Sequence, residues 1–244
     1  MRKTLSFIYG VVCYLVFFVV FLYLIGFVGD LFVPKSIDTG TEAATAQSVM
    51  INVALLGLFA VQHTIMARPA FKQWLTKIIP EQVERSTFVL ASSLILMLLY
   101  WQWRPMLGVI WSLDNPTGKA ILFGLFWLGW GTVLFSSFII NHFDLFGLRQ
   151  VWLHLTGREY HHLEFQARSL YRLLRHPLML GIIIGSWATP HMTTGHLVFA
   201  ITATIYILIG IRFEERDLVR FHGQNYIDYR HRVPMLIPFT KKRN

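Results

Sequence analysis

From His176 to Ile211 the chain runs for 36 residues without a lysine, arginine, aspartate or glutamate. Four other intervals are also free of formal charge: Thr4–Gly29, the segment between Glu42 and Arg68, Ser86–Trp103 and Ala120–Ile140. Each is about long enough to cross a hydrocarbon core of ~30 Å at ~1.5 Å per residue. The interval 176–211 would be roughly 54 Å long as one helix, too long for a single crossing. Thr189, Pro190, His191, Thr193, Thr194 and Gly195 bring turn chemistry to its middle, so it reads as a hairpin with a short first arm. The fold class is therefore all-α: a polytopic membrane helix bundle of five to six membrane helices, the last two forming a hairpin. The C-terminal region, from Arg212 to Pro238, reads as a cytoplasmic amphipathic helix. Residues 1–244 form one integral membrane domain.

Composition supports the membrane reading. Hydrophobic residues make up 55% of the chain and charged ones 14%, with a mean hydropathy of +0.50, more apolar surface than a soluble domain hides. The first apolar run is too long for a signal peptide and lacks a small-residue cleavage site, so it counts as a span. The single cysteine, Cys13, rules out an intrachain disulfide. The net charge of +9 has no nucleic-acid-binding motif beside it, and no nucleic acid is expected.

The basic residues set the orientation. With the N-terminus inside, the cytoplasmic segments hold 19 of the 22 Lys and Arg, leaving Lys35, Arg104 and Lys119 outside, the split that the positive-inside rule demands. The expected location is a bacterial inner membrane, multi-pass, with both termini cytoplasmic. Three polar stretches then reach the cytoplasmic surface: 141–150, 171–181 and 212–238.

In the stretch 169–181, SLYRLLRHPLMLG, Arg175, His176 and Pro177 lead into a membrane helix. Proline suits a helix start, and the exposed amides of the following turn form a site for a carboxylate. In the stretch 212–238, Glu214 and Glu215 stand at the end of a membrane helix, where carboxylates are costly and are candidates for function. One is suited to an ammonium or ribose group, and the other to an ion pair with Arg175 or Arg212. In the stretch 141–150, NHFDLFGLRQ, His142 and Asp144 read as a base and its orienting partner. His63 reads as a hydrogen-bonded structural histidine, and the adjacent His161 and His162 as a poor metal pair. No P-loop, dinucleotide-binding or zinc-ligand spacing is present, and no metal is expected.

The order Arg175-His176-Pro177 with Gly181, a hairpin, Glu214-Glu215, then Gly223, Tyr226, Tyr229, Arg232, Val233, Pro234 and Pro238 resembles the C-terminal signature of the isoprenylcysteine carboxyl methyltransferase superfamily of integral membrane methyltransferases. Gln62 to Pro69 and the NHFDLFGLRQ stretch are similar to the bacterial methanethiol S-methyltransferases and their NnrU-like relatives. The resemblance implies an S-adenosylmethionine-dependent enzyme that methylates a small thiol, methanethiol to dimethyl sulfide. Its partners are the thiol and the bilayer. The alternatives are another membrane-borne acceptor, or a non-enzymatic NnrU-like accessory protein using His63 and His142. The resemblance places the donor's carboxylate and ribose near Arg175, His176, Pro177 and the backbone of Leu178, Met179 and Gly181. Its amine or hydroxyls fall near Glu214 or Glu215, with Tyr226 and Tyr229 closing the pocket. Tyr171 and Gln150 join that set, and the donor-binding part spans about 141–238. His142, oriented by Asp144, is the expected thiol base, with Arg149 and Gln150 stabilising Asp144 or positioning the donor.

Overall fold

The computed structural model of the chain describes residues 2–161, 166–238 and 240. His162, Lys241, Lys242 and Arg243 lie outside the described residues. In chain order the elements are α1 (Arg2–Gly29), α2 (Thr45–Ala67), α3 (Pro69–Leu75), α4 (Glu84–Gln102), β1 (Val109–Ser112), α5 (Pro116–Ile140), α6 (His142–Leu145) and α7 (Leu148–Thr156), followed by α8 (Pro177–Trp187), β2 (His191–Thr193), α9 (Thr194–His222) and α10 (Gln224–Arg232). Helices α1, α2, α4 with the turn before it, α5 and α9 are long and apolar enough to cross a membrane, and the apolar α8 is shorter. The interval 176–211 is indeed divided midway, into an 11-residue α8 and a 29-residue α9. The protein is a multi-pass helical membrane bundle.

The chain divides into two compact units, one of residues 1–112, 141–161 and 191–199, the other of 113–140, 162–190 and 200–244.

In the first unit, α1 shows two faces. Leu5, Ile8, Val12, Leu15, Val19 and Leu22 recur every three to four residues and are exposed, a stripe for lipid. Gly10, Cys13, Val20 and Phe27 are buried. A methyl group at Gly10 would lie 2.5 Å from Val151 of α7, so only glycine lets these helices approach so closely. Helix α4 is tied to α1 by Tyr9–Thr87 (3.0 Å) and by the Tyr100 hydroxyl donating to the Val20 carbonyl (3.1 Å). Between α1 and α2, a connecting loop is held by polar contacts that satisfy its backbone. Trp103 Nε1 donates to the Ile37 carbonyl (3.0 Å), and Asn52 bonds both the carbonyl and the N–H of Arg104 (2.7 and 2.9 Å). Strands β1 and β2 pair antiparallel beside it, Val109 with Thr193 and Ser112 with His191.

In the second unit, the buried residues of α5 — Phe126, Gly129, Trp130, Val133, Ser136 and Ser137 — form one seam at helical spacing. They meet Gly181 and Gly185 of α8. A methyl group at Gly129 would lie 2.6 Å from the Gly185 nitrogen and 2.7 Å from the Gly181 oxygen, which is helix packing through small residues. The arms of the hairpin are joined where Trp187 Nε1 donates to Thr204 (3.0 Å).

Two expectations about this region change. The segment after Arg212 does not begin a separate surface helix. Helix α9 continues unbroken to His222, because 213–222 contains no helix breaker, and the chain turns only at Gly223, where φ is +58°. Only Gln224–Arg232 forms a further helix. Glu214 and Glu215 thus lie inside the last long helix, two turns before its end.

Candidate functional site

The sequence-derived candidates gather into two clusters, one in each unit.

In the second unit, Pro177 fixes the start of α8, and His176 stands at the cap position with its ring buried. Two carboxylates of α9 approach that ring from either end. Glu215 Oε1 lies 3.1 Å from Nε2, and Glu214 Oε2 lies 3.6 Å from Nδ1. Arg175 Nε lies 2.8 Å from the same Glu215 oxygen, an ion-pair contact rather than an aligned hydrogen bond. Its Nη1 donates to the carbonyls of Arg230 (2.7 Å) and Val233 (3.3 Å). The side chains of Arg175 and Glu215 are 8% and 12% exposed, whereas that of Glu214 is 45% exposed. The pair that consumes Arg175 is thus made by Glu215, and Glu214 keeps a solvent-facing carboxylate. The guanidinium of Arg175, expected beside a ligand carboxylate, is committed to internal partners.

The C-terminal segment closes over this group. The amides of Arg175 and His176 donate to the carbonyls of Pro234 (2.9 Å) and Met235 (3.2 Å). The Tyr229 hydroxyl donates to the Tyr171 carbonyl (2.6 Å). Tyr226, Tyr229 and Val233 form a buried apolar knot with Leu218 and Val219. Burial, first of all, raises the phenol pKa of Tyr171, Tyr226 and Tyr229. The nearby carboxylates push the same way, Glu214 for Tyr171, both glutamates for Tyr226 and Glu215 for Tyr229. All three stay neutral hydrogen-bonding groups at neutral pH. Leu178 and Met179 lie in the first turn of α8, where amides have no partner within the helix. Gly181 packs in the α5 seam, where a methyl group would be 2.6 Å from the Gly129 oxygen.

In the first unit, Asn141 takes φ +130° and caps α6, its Oδ1 accepting from the Asp144 amide at 3.1 Å. Gly147 (φ +89°) lets the chain pass against Ser86, 2.7 Å from where a side chain would begin. Asp144 accepts from Arg149 Nη1 (2.8 Å), Gln150 Nε2 (3.4 Å) and the Tyr160 hydroxyl (3.4 Å). Arg149 also covers the Tyr160 ring at 5.2 Å. His142 is buried, with Nε2 2.9 Å from the Tyr14 hydroxyl. Its neighbours Phe143 and Phe146 stand tilted or edge-on to the ring, and burial lowers its pKa. Asp144 is engaged by Arg149, and the His142 ring meets the Tyr14 hydroxyl. Tyr14 and Tyr160 were missed from sequence. One sits inside an apolar run and the other after a helix end, with no local pattern to single them out. His63 lies between Phe59 (5.4 Å) and Phe88 (4.9 Å). Among the described residues, no group of three or more His, Cys, Asp or Glu gathers as a metal site would require.

No family model and no solved structure matches the chain. Curated relatives do. The chain is 55% identical over 242 residues to the methanethiol S-methyltransferase of Mycobacterium tuberculosis, covering 99% of both chains. It is 50% identical over 244 residues to that of Crocosphaera subtropica, covering 100% of this chain and 96% of the relative. It is 52% identical over 239 residues to methanethiol S-methyltransferase 1 of Bradyrhizobium diazoefficiens, covering 98% and 84%.

Proposed function

The chain belongs to the methanethiol S-methyltransferase family, and from that premise we propose that it is a membrane enzyme transferring a methyl group from S-adenosylmethionine to methanethiol, with dimethyl sulfide as product. The relatives' names favour neither another acceptor nor an accessory protein. One observation carries the assignment of the donor site. A half-exposed Glu214 stands beside the buried ring of His176, which caps the first turn of α8 and belongs to a buried Arg175–Glu215–His176 group.

The residues present suit such a donor. Glu214 offers a carboxylate for its ammonium or ribose hydroxyls, and the Leu178 and Met179 amides offer an anion site for its carboxylate. When bound, the donor supplies a methyl group on a sulfonium whose charge disappears as a thioether forms. The protein's work is positioning, exclusion of water and removal of the thiol proton. Arg175, with Glu215 and His176, fixes the entry to α8, while Tyr171, Tyr226 and Tyr229 hold the C-terminal segment over it. A neutral thiol is a weak nucleophile, with a pKa of about 8.5 even for cysteine. His142, kept neutral by burial, accepts the thiol proton. Asp144, Arg149 and Gln150 brace the turn that presents His142. Both termini are cytoplasmic, as the placement of basic residues requires.

Calorimetric titration with S-adenosylhomocysteine tests the donor site. The detergent-purified protein binds it, and Glu214→Gln weakens binding at least about tenfold, the cost of about one charge-assisted hydrogen bond. Unchanged affinity in Glu214→Gln removes the assignment.

A further inference from the structure

We propose that Arg212, Arg216 and Arg220 form a docking stripe for the headgroups of anionic phospholipids, seating the charged end of α9 on the membrane surface. The stripe is separate from the carboxylates read as the donor site, and the proposal does not depend on the methyl-transfer reading.

The segment 212–222, RFEERDLVRFH, holds three arginines and three acids, so its composition shows no excess of positive charge. The fold separates the two signs. Glu215 is turned inward onto Arg175, and Glu214 faces the His176 ring. The third acid, Asp217, is only partly exposed. The arginines recur every four residues, which sets them one above another on the helix, and all three are exposed. The buried residues Ile211 and Glu215 each immediately precede an arginine, about 100° round a helix of 3.6 residues per turn, so the stripe lies off the packed side. Among the described residues no carboxylate pairs with any of the three arginines. Arg216 lies instead over the Phe213 ring, 5.6 Å from its centre.

Helix length sets the depth. Helix α9 has 29 residues, about 43 Å at ~1.5 Å per residue, against a hydrocarbon core of ~30 Å. Its uncharged part, 194–211, is about 27 Å long and nearly fills that core by itself. Arg212 therefore falls at the boundary. Arg216 and Arg220 follow about 6 and 12 Å further along the axis, within reach of the headgroup layer and its field, which decays over a Debye length of ~8 Å. Arginine suits that layer, because its stem lies along apolar surface while its planar guanidinium meets phosphate oxygens through paired N–H groups. Phe221, 65% exposed beside Arg220, supplies an aromatic ring of the kind that anchors at the interface. The basic residues mark this side as cytoplasmic, the leaflet whose anionic lipids attract such clusters. A zwitterionic headgroup carries its own cation beside the phosphate, so a stripe of positive charge selects the anionic one.

The test titrates phosphatidylglycerol into the detergent-purified full chain and counts lipid-bound protein by native mass spectrometry, beside phosphatidylcholine and inorganic phosphate. The stripe variant Arg212→Gln/Arg216→Gln/Arg220→Gln is compared with Lys3→Gln/Lys77→Gln/Arg158→Gln, which removes the same charge from three other exposed positions. An unchanged thermal unfolding midpoint reports that each variant is folded, and Arg216→Gln/Arg220→Gln replaces the triple variant if that one is not. Wild type and the control are expected to prefer phosphatidylglycerol to phosphatidylcholine. The stripe variant is expected to lose at least about fivefold in apparent affinity for phosphatidylglycerol, the effect of about one arginine at an anionic surface. Equal affinity in the stripe variant and wild type overturns the proposal. An equal loss in the control assigns the effect to net charge and overturns it too. Inorganic phosphate displacing the lipid at equal concentration makes the stripe a general anion site and overturns the lipid as its partner.

Discussion

Glu214 and Glu215 are consecutive in α9, yet the His176 ring stands between them and only Glu215 is drawn into the buried pair with Arg175. Removing Arg175 leaves the buried Glu215 carboxylate with the His176 ring as its remaining side-chain contact in this group. Arg175→Ala should therefore cost about 3–5 kcal/mol of stability, read as a marked fall in the thermal unfolding midpoint in detergent. Glu214→Gln should leave the midpoint near wild type and act on donor affinity. His142 gives a pH prediction. Burial holds its pKa below the ordinary value of 6.5, so the native state binds its proton less readily than the unfolded chain. Its contribution to stability is thus present above that ordinary value and lost as pH falls through it. Turnover should follow the same sign, flat near neutrality and falling on an acid limb below about 6.5. His142→Ala should lose the limb and about a hundredfold in rate. A wild-type acid limb in that variant removes His142 as the base. Chemistry-bearing types at a membrane surface made most of these residues legible in sequence. The division of labour between the two glutamates was not, because it depends on which carboxylate meets Arg175 across the hairpin.

At the scale of elements, the membrane helices were legible because an uncharged run of that length has few other fates in a folded chain. The break in 176–211 was legible for the same reason, read against the thickness of the bilayer. Local sequence could not show that α9 would carry straight through the charged 212–222 segment, since such a pattern suits either a surface helix or the end of a long one. Nor could it show β1 pairing with β2, whose partners lie some eighty residues apart. Gly181 shows the same limit. Nothing in the local sequence shows that it opens space for α5. Replacing Gly129 by Val should thus be severe, because the added carbons meet backbone atoms of α8 that cannot give way. A loss of about 1–3 kcal/mol or more is expected, seen as reduced yield of monodisperse protein. Gly124→Val, on the same helix with nothing within 4 Å, should be tolerated. Equal tolerance of both would contradict the glycine seam.

For the whole molecule, the apolar helices establish a multi-pass membrane protein, and the relatives establish its family. The distribution of basic residues adds an orientation that labelling can check. In a Cys13→Ser background, a cysteine replacing Asp114 should react with a membrane-impermeant maleimide in intact spheroplasts. One replacing Lys77 should react only after permeabilisation, and the reverse pattern would invert the topology. The central claim is transfer of a methyl group from S-adenosylmethionine to methanethiol by this chain alone. Its most direct test is headspace mass spectrometry of the purified protein given methanethiol and S-adenosylmethionine carrying a carbon-13 methyl group. The account predicts dimethyl sulfide heavier by one mass unit, formed in proportion to enzyme and lost in Glu214→Gln at limiting donor. Unlabelled product, or none from folded protein that binds S-adenosylhomocysteine, would contradict it.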